Sequence, residues 1–456
     1  MDNNVEEVSQ KMDDLGVKNE TNGNEEAPSA AEFSLMRKAL RDKLLHTTNQ
    51  VQVFQNDPTN PLYSANSFES LNIPEDLLRG IYDMGFSKPS RIQETALPFL
   101  LEKKTNLIAQ SQSGTGKTAA FVLASLFHVK PEIKMPQVII LSPTYELALQ
   151  IGDVVKQMSK YKPDITFRYV VRGEILERNS KITNHILIGT PGKMIDWALK
   201  YNFFDIKKIS VFVLDEADVM IDTQGLRAQS IKLKRYLPAD CQMMLFSATY
   251  SEEIMDFAQQ IISKPVVILR LRVEEQSLDN INQYYIVVNS EEEKYTALTN
   301  IFGTIAMGQA FIFCETKVSA SRLVQQLRSD GHSVGLISGD LTVEQRNEAL
   351  LRFRDGLERV IVATNVMARG IDVERVTIVI NYDLPTNPET RDIDYETYLH
   401  RIGRTGRFGK EGLAINFVGD DRAMQMIHKL EDHFKKKIEN LNALDVDAIE
   451  KIGNDA

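Results

Sequence analysis

The sequence predicts an α/β protein of two tandem domains, each a parallel sheet flanked by helices, behind an acidic disordered N-terminal tail and a short N-terminal helix. Three observations carry this expectation. The chain has 456 residues, and single hydrophobic cores stop growing near ~250–300 residues. Apolar runs of strand length alternate with helical stretches, the pattern of a sheet covered on both faces. The alternation breaks once, at the charged stretch Arg270–Asn280, and then resumes.

In chain order, residues 1–30 are rich in Asn, Glu, Asp and Ser and poor in aromatics, the composition of a disordered tail. Residues 31–67 form a helix and an extension. Phe33, Met36, Leu40 and Leu44 recur at helical spacing through Ala31–His46 beside Arg37, Lys38, Arg41 and Lys43. Residues 68–269 make the first domain, with strands at Val138–Leu141, Ile186–Ile188, Val211–Leu214 and Met243–Phe246. The linker is 270–280. Residues 281–456 make the second domain, with strands at Tyr284–Val288, Ala310–Phe313, Ser333–Ile337, Val360–Ala363 and Thr377–Ile380, and one charged amphipathic helix over His433–Ile452.

Composition narrows the class. The chain is 43% hydrophobic and 25% charged, which excludes disorder throughout. No apolar run approaches the ~18 residues a membrane span needs, and the acidic N-terminus is no secretory signal. Cys241 and Cys314 lie in apolar runs and read as buried thiols in a reducing compartment. Seven histidines form no ligand-spaced cluster. Net charge is −10, but residues 1–35 carry −7 of it, so the body is close to neutral. Charge therefore neither supports nor excludes a nucleic-acid partner.

The run Ser111-Gln112-Ser113-Gly114-Thr115-Gly116-Lys117-Thr118 spells the phosphate loop G-x-x-x-x-G-K-[ST] once its first glycine is relaxed to Ser111 or Ala109. It lies between the strand-like Asn106-Leu107-Ile108-Ala109 and the helical Ala119-Ala120-Phe121-Val122-Leu123. Backbone N–H groups at a helix start hold phosphate oxygens, Lys117 reaches the terminal phosphates, and the Thr118 hydroxyl is placed for Mg²⁺. Downstream, strand Val211–Leu214 runs into Asp215-Glu216-Ala217-Asp218. A carboxylate at the end of a buried parallel strand holds Mg²⁺ through Asp215 and leaves Glu216 to orient or deprotonate water. The chain reads as a nucleoside triphosphate hydrolase. Two similar cores sharing one phosphate loop point to a site at their interface.

These motifs, with Ser247-Ala248-Thr249 and His400-Arg401-Ile402-Gly403-Arg404-Thr405-Gly406-Arg407, resemble the DEAD-box RNA helicases of superfamily two. The resemblance runs from about Phe68 to Val418, with the motifs in family order. It implies two RecA-like domains and an RNA-dependent ATPase using ATP and Mg²⁺. By resemblance Gln93, in Gly85-Phe86-Ser87-Lys88-Pro89-Ser90-Arg91-Ile92-Gln93, bonds the adenine edge, Phe86 stacks on the base and Phe68 supports that surface. An amide offers the donor and acceptor that adenine N6 and N7 require. Asp372 would contact the ribose. Ser247 and Thr249, with Asp218, would link nucleotide state to domain closure, although two small hydroxyls can also simply end a strand. Arg404 and Arg407 would approach the γ-phosphate from the second domain, arginine fingers being worth about 10³–10⁵ in rate. His400 and Arg401 would join the same interdomain network.

RNA contacts carry over to Pro143, Thr144, Arg172, Gly173, Thr190, Pro191, Gly192, Lys193, Thr316, Gly339, Arg346 and Thr364. Small residues and single cations grip phosphates and 2′-hydroxyls without reading sequence. Tyr145 replaces the family's usual arginine, Arg172 its usual first glycine and Val343 a common glutamine, and the loop Thr386–Glu396 is longer than in the shortest members. With Pro61-Leu62-Tyr63-Ser64, these departures resemble the nuclear-pore-associated mRNA-export helicases. That subgroup strips proteins from messenger RNA at the cytoplasmic pore face. It is stimulated by an export factor carrying inositol hexakisphosphate, and it binds a nucleoporin. The resemblance therefore implies single-stranded RNA, that activator and that nucleoporin as partners, a monomer without membrane insertion, and residence in cytoplasm and nucleus. An ATP-locked RNA clamp with incidental hydrolysis shares every motif. The helix at Ala31–His46 reads either as a brake in the cleft or as a helix packed on its own domain.

Overall fold

The computed structural model describes residues 51–55, 67–110, 115–222, 225–249, 251–271, 280–305, 308–364, 375–388, 390–406 and 411–454. The expected tail 1–30, the helix Ala31–His46, Pro61-Leu62-Tyr63-Ser64, Ser111, Gln112, Ser113, Gly114, Asp372, Arg407 and most of the linker lie outside the described residues.

Two sheets form, as the alternation predicts. The first holds β1 (Val51–Gln55), β2 (Asn106–Gln110), β3 (Val138–Leu141), β4 (Phe167–Val170), β5 (Ile186–Gly189), β6 (Val211–Leu214), β7 (Gln242–Ser247) and β8 (Val266–Leu271), in the order β1-β8-β2-β7-β6-β3-β5-β4. The second holds β9 (Ile281–Val287), β10 (Gln309–Cys314), β11 (Val334–Ile337), β12 (Val360–Thr364), β13 (Val376–Asn381), β14 (Gly412–Val418) and β15 (Glu439–Asn440), in the order β11-β12-β10-β13-β14-β9-β15. Strands such as β3 and β6 are buried along their whole length because helices cover both faces, so they read as unbroken apolar runs. The pleat divides β2 accordingly. Leu107 and Ala109 enter one core, and Ile108 enters the core on the other face.

The helices are α1 (Glu75–Asp83), α2 (Arg91–Leu101), α3 (Lys117–His128), α4 (Tyr145–Met158), α5 (Pro191–Ile195), α6 (Ala217–Asp222), α7 (Leu226–Lys234), α8 (Glu252–Ile261), α9 (Glu291–Thr304), α10 (Lys317–Ser329), α11 (Val343–Arg354), α12 (Tyr395–Ile402), α13 (Asp421–Phe434) and α14 (Val446–Asn454). Their starts are chemically marked. Thr144, Thr316, Thr342 and Asp394 each accept a bond from a first-turn N–H, a cap worth roughly 1 kcal/mol. None of the described helices is long and apolar enough to cross a membrane.

Three local expectations are corrected. The first sheet is not wholly parallel, because β1, from the segment read as an extension, pairs antiparallel with β8. β8 itself runs to Leu271, two residues into the stretch read as linker. The last segment is not one helix. Helix α13 stops at Phe434, Lys435 turns with φ 52°, and Glu439–Asn440 pair with β9 before α14 begins. Burial of Ile438 and Leu441 explains the break. A continuous helix would forgo the edge pairing that places both against the core.

Candidate active site and nucleic-acid interface

All strands around the site are parallel, so their carboxyl ends share one edge of each sheet, where ligands bind in open α/β folds. In the first sheet β2, β7 and β6 are neighbours. They deliver the phosphate loop, Ser247-Ala248-Thr249 and Asp215-Glu216 side by side. The adjacent trio β3-β5-β4 delivers Pro143 and Thr144, then Thr190-Pro191-Gly192-Lys193, then Arg172 and Gly173. In the second sheet the neighbours β11-β12-β10 deliver Gly339, Thr364 and Thr316. Each sheet edge thus groups its candidate RNA residues after three adjoining strands, Arg346 excepted, which lies within α11.

At the nucleotide end, Gly116 precedes α3 with φ +95°, and a Cβ there would stand 2.6 Å from Gln93 Nε2. Only glycine fits. Gln93 is buried, with Oε1 accepting from Ser90 N at 2.9 Å and Nε2 donating to the Gly116 carbonyl at 3.0 Å. The amide is thereby anchored to the loop, with one donor and one acceptor position left. Phe68 is buried in the first core, and Phe86 packs half-buried against it. Thr115 and Thr118 are half-buried. Lys117 is 5% exposed, and its Nζ has no hydrogen-bond partner and lies 4.0 Å from Glu216 Oε1. A buried ammonium held only at that distance is an anion site in waiting.

Asp215 is buried, and its carboxyl is pushed up to about 7, by burial first and by the Glu216 charge second. Two acids packed together beside Lys117 form a donor set that a divalent cation would stabilise, so the residues present fit Mg²⁺. Glu216 itself has φ 50°, a backbone region that non-glycine residues seldom occupy. Such strain collects where a side chain must be aimed.

The second domain closes over this edge. His400 Nε2 lies 3.2 Å from Asp218 Oδ2, and the same oxygen accepts from Ala248 N at 3.2 Å and Thr249 Oγ1 at 3.4 Å. Asp218 therefore joins the Ser-Ala-Thr segment of one domain to the histidine of the other. The ligand atoms of Glu216, Asp218 and His400 lie within 4.8 Å of one another. A second crossing pairs Arg346 Nε with Glu146 Oε1 at 2.8 Å, and a third sets Arg354 Nη1 3.8 Å from Asp153 Oδ2. Arg346, expected on RNA, is engaged here across the cleft. Glu146 was not singled out from the sequence, since an acid in a first helical turn is ordinary and its partner lies 200 residues away.

Arg401 is held differently. It is buried, its Nη1 donates to Asn381 Oδ1 at 2.8 Å and to the Asp383 carbonyl at 2.6 Å, and its guanidinium lies 5.1 Å from the Phe313 ring centre. Asn381 in turn bonds Asn416 at 2.8 Å, and burial lowers the Arg401 pKa to about 9. These bonds lie within the second domain. Arg404 is also buried, and its Nε donates to the His400 carbonyl at 2.9 Å.

A DEAD/DEAH box helicase model matches residues 90–257, and a helicase conserved C-terminal domain model matches residues 293–409. The chain is 55% identical over 431 residues to the ATP-dependent RNA helicase DDX19A of Bos taurus, spanning 94% of this chain and 90% of that one. The structure of S. cerevisiae Dbp5 bound to RNA and ADP BeF3 aligns with a TM-score of 0.81 at 43% identity, covering 86% of this chain and 99% of that one. A variant of Dbp5 bound to Nup159, Gle1, IP6 and ADP aligns with a TM-score of 0.64 at 40% identity, covering 84% and 99%. With both halves matched and a relative identical at over half its aligned positions, the chain belongs to the DEAD/DEAH box family of ATP-dependent RNA helicases.

Proposed function

We propose that this helicase is an RNA-dependent ATPase that closes its two domains on ATP and single-stranded RNA and thereby remodels RNA–protein complexes during mRNA export at the nuclear pore. The observation that carries the reading is the buried Lys117 ammonium, without a hydrogen bond, beside Asp215 and Glu216, in a cleft spanned by the His400–Asp218 contact. Lys117 and the start of α3 bind the terminal phosphates, and Gln93 with Phe86 selects adenine. Glu216 orients water and takes its proton. Arg404 adds positive charge from the second domain only when the cleft is closed. Mg²⁺ held by Thr118 and Asp215 would supply charge neutralisation at the phosphates. The grouped residues on β3-β5-β4 and β11-β12-β10 grip the RNA backbone.

Dbp5 was solved with Gle1, IP6 and Nup159, and on that likeness we assign this chain an inositol-hexakisphosphate-bearing activator and a nucleoporin. Residence at the cytoplasmic face of the pore follows. The test is steady-state ATPase of the full chain with and without single-stranded RNA, together with displacement of a protein pre-bound to that RNA. RNA stimulation with multiple-turnover displacement is expected. Absence of stimulation would overturn the reading, and stimulation that ends in one long-lived RNA complex would favour a clamp.

A further inference from the structure

Gln110 ends β2, one step before the phosphate loop, and is 1% exposed. Its Oε1 and Nε2 both lack a hydrogen-bond partner, which holds for no other buried amide among the described residues. Buried polar groups are nearly always satisfied, so an amide orphaned at both ends calls for an explanation. Its register neighbour on β7 is Ser247, also buried, and the Ser247 hydroxyl likewise has no partner. The pleat puts the two side chains on one face. Ile108 and Leu245, two residues before each, enter the same core. A donor–acceptor pair thus stands side by side, on adjacent strands, with its bond unmade. Beyond Ser247 the path is continuous, since Ala248 and Thr249 bond Asp218, which faces His400 of the other domain.

We propose that Gln110 is a positioning residue whose carboxamide bonds the Ser247 hydroxyl when ATP occupies the phosphate loop, so that loop occupancy is passed to the Ser247-Ala248-Thr249 segment that bonds Asp218. The proposal rests on the reading of Ser247-Ala248-Thr249 as the segment coupling nucleotide to closure. It differs from a packing role in a measurable way. An amide needed only for shape is replaced by an apolar isostere at no cost to rate, whereas a switching bond is not.

The test uses the full chain with Gln110→Met, Gln110→Leu as a second isostere, Ser247→Ala and the double variant Gln110→Met/Ser247→Ala. RNA-stimulated kcat, KM for ATP and Tm are measured for each. Both Gln110 variants should keep or raise Tm, because a buried unpartnered amide is removed. Each single variant should lose about tenfold in kcat with KM for ATP within about twofold, and the double variant should lose no more than either single, as members of one unit do. Full kcat in both Gln110 variants, multiplied losses in the double variant, or a fall in Tm that parallels kcat would each overturn the proposal. Full kcat in Ser247→Ala would overturn the coupling reading beneath it as well. A loss in Ser247→Ala without one in the Gln110 variants would sink the Gln110 assignment alone.

Discussion

At the carboxyl edge of the first sheet, Lys117 is buried with no hydrogen bond to its ammonium, and two acids crowd beside it. At the corresponding edge of the second domain, Arg401 is equally buried but is held by Asn381, the Asp383 carbonyl and the Phe313 ring. The two cations therefore do different work. An unsatisfied buried charge lowers stability and gains most from a bound anion. One held by several partners contributes rigidity, and here it ties α12, which carries His400, to β13. One sheet edge holds a buried cation without a hydrogen bond, and the other holds a buried cation framed by its own domain.

The contrast is testable, starting where the effect is largest. Arg404→Ala should lower RNA-stimulated kcat by about 10³-fold or more while ATP binding by the free chain changes little. A proportionate loss of ATP affinity would place Arg404 in ground-state binding instead. Glu216→Gln should cost about 10²–10⁴ in kcat and leave ATP and RNA binding intact, as titrations with a labelled nucleotide would show. Full turnover in that variant would remove Glu216 from the chemistry.

Stability separates the two cations next. Arg401→Ala strands the acceptors of Asn381 and Asp383, which costs about 1–3 kcal/mol for each buried group left unsatisfied and should be seen as a lower denaturant midpoint. Lys117→Ala should leave the midpoint unchanged or raised, yet weaken ATP binding. Equal destabilisation by the two changes would break the comparison. The smallest effect belongs to Arg354→Ala. Its contact with Asp153 is 3.8 Å long and partly exposed, so about 0–1 kcal/mol is at stake and ATPase should stay near normal.

Much of the fold was legible because its strands advertise themselves locally. Val138–Leu141 and Val211–Leu214 are four-residue apolar runs whose bounds match β3 and β6, since strands buried on both faces admit no polar interruption. β1 and β15 were not legible. Val51–Gln55 has a place only because the edge of β8 is open to it, and Glu439–Asn440 only because β9 is. The site divides the same way. Gly116-Lys117 and Asp215-Glu216 could be located from strand-then-motif order, whereas the Arg346–Glu146 pair and the unpartnered Gln110 could not.

The sequence by itself determined which residues fall at strand ends, because alternation, caps and glycine positions are set by neighbours a few residues away. It thereby determined that the paired acids, the start of α3 and the small residues proposed to grip RNA would share the carboxyl edges of parallel sheets. Only the tertiary structure decided which of those groups are satisfied. His400 reaches Asp218 and Arg346 reaches Glu146 because two domains close on each other, and the Lys117 ammonium is left without a hydrogen bond, its contact with Glu216 being 4.0 Å long. Burial and pairing are properties of residues far apart in the chain, and no local pattern encodes the distance between them.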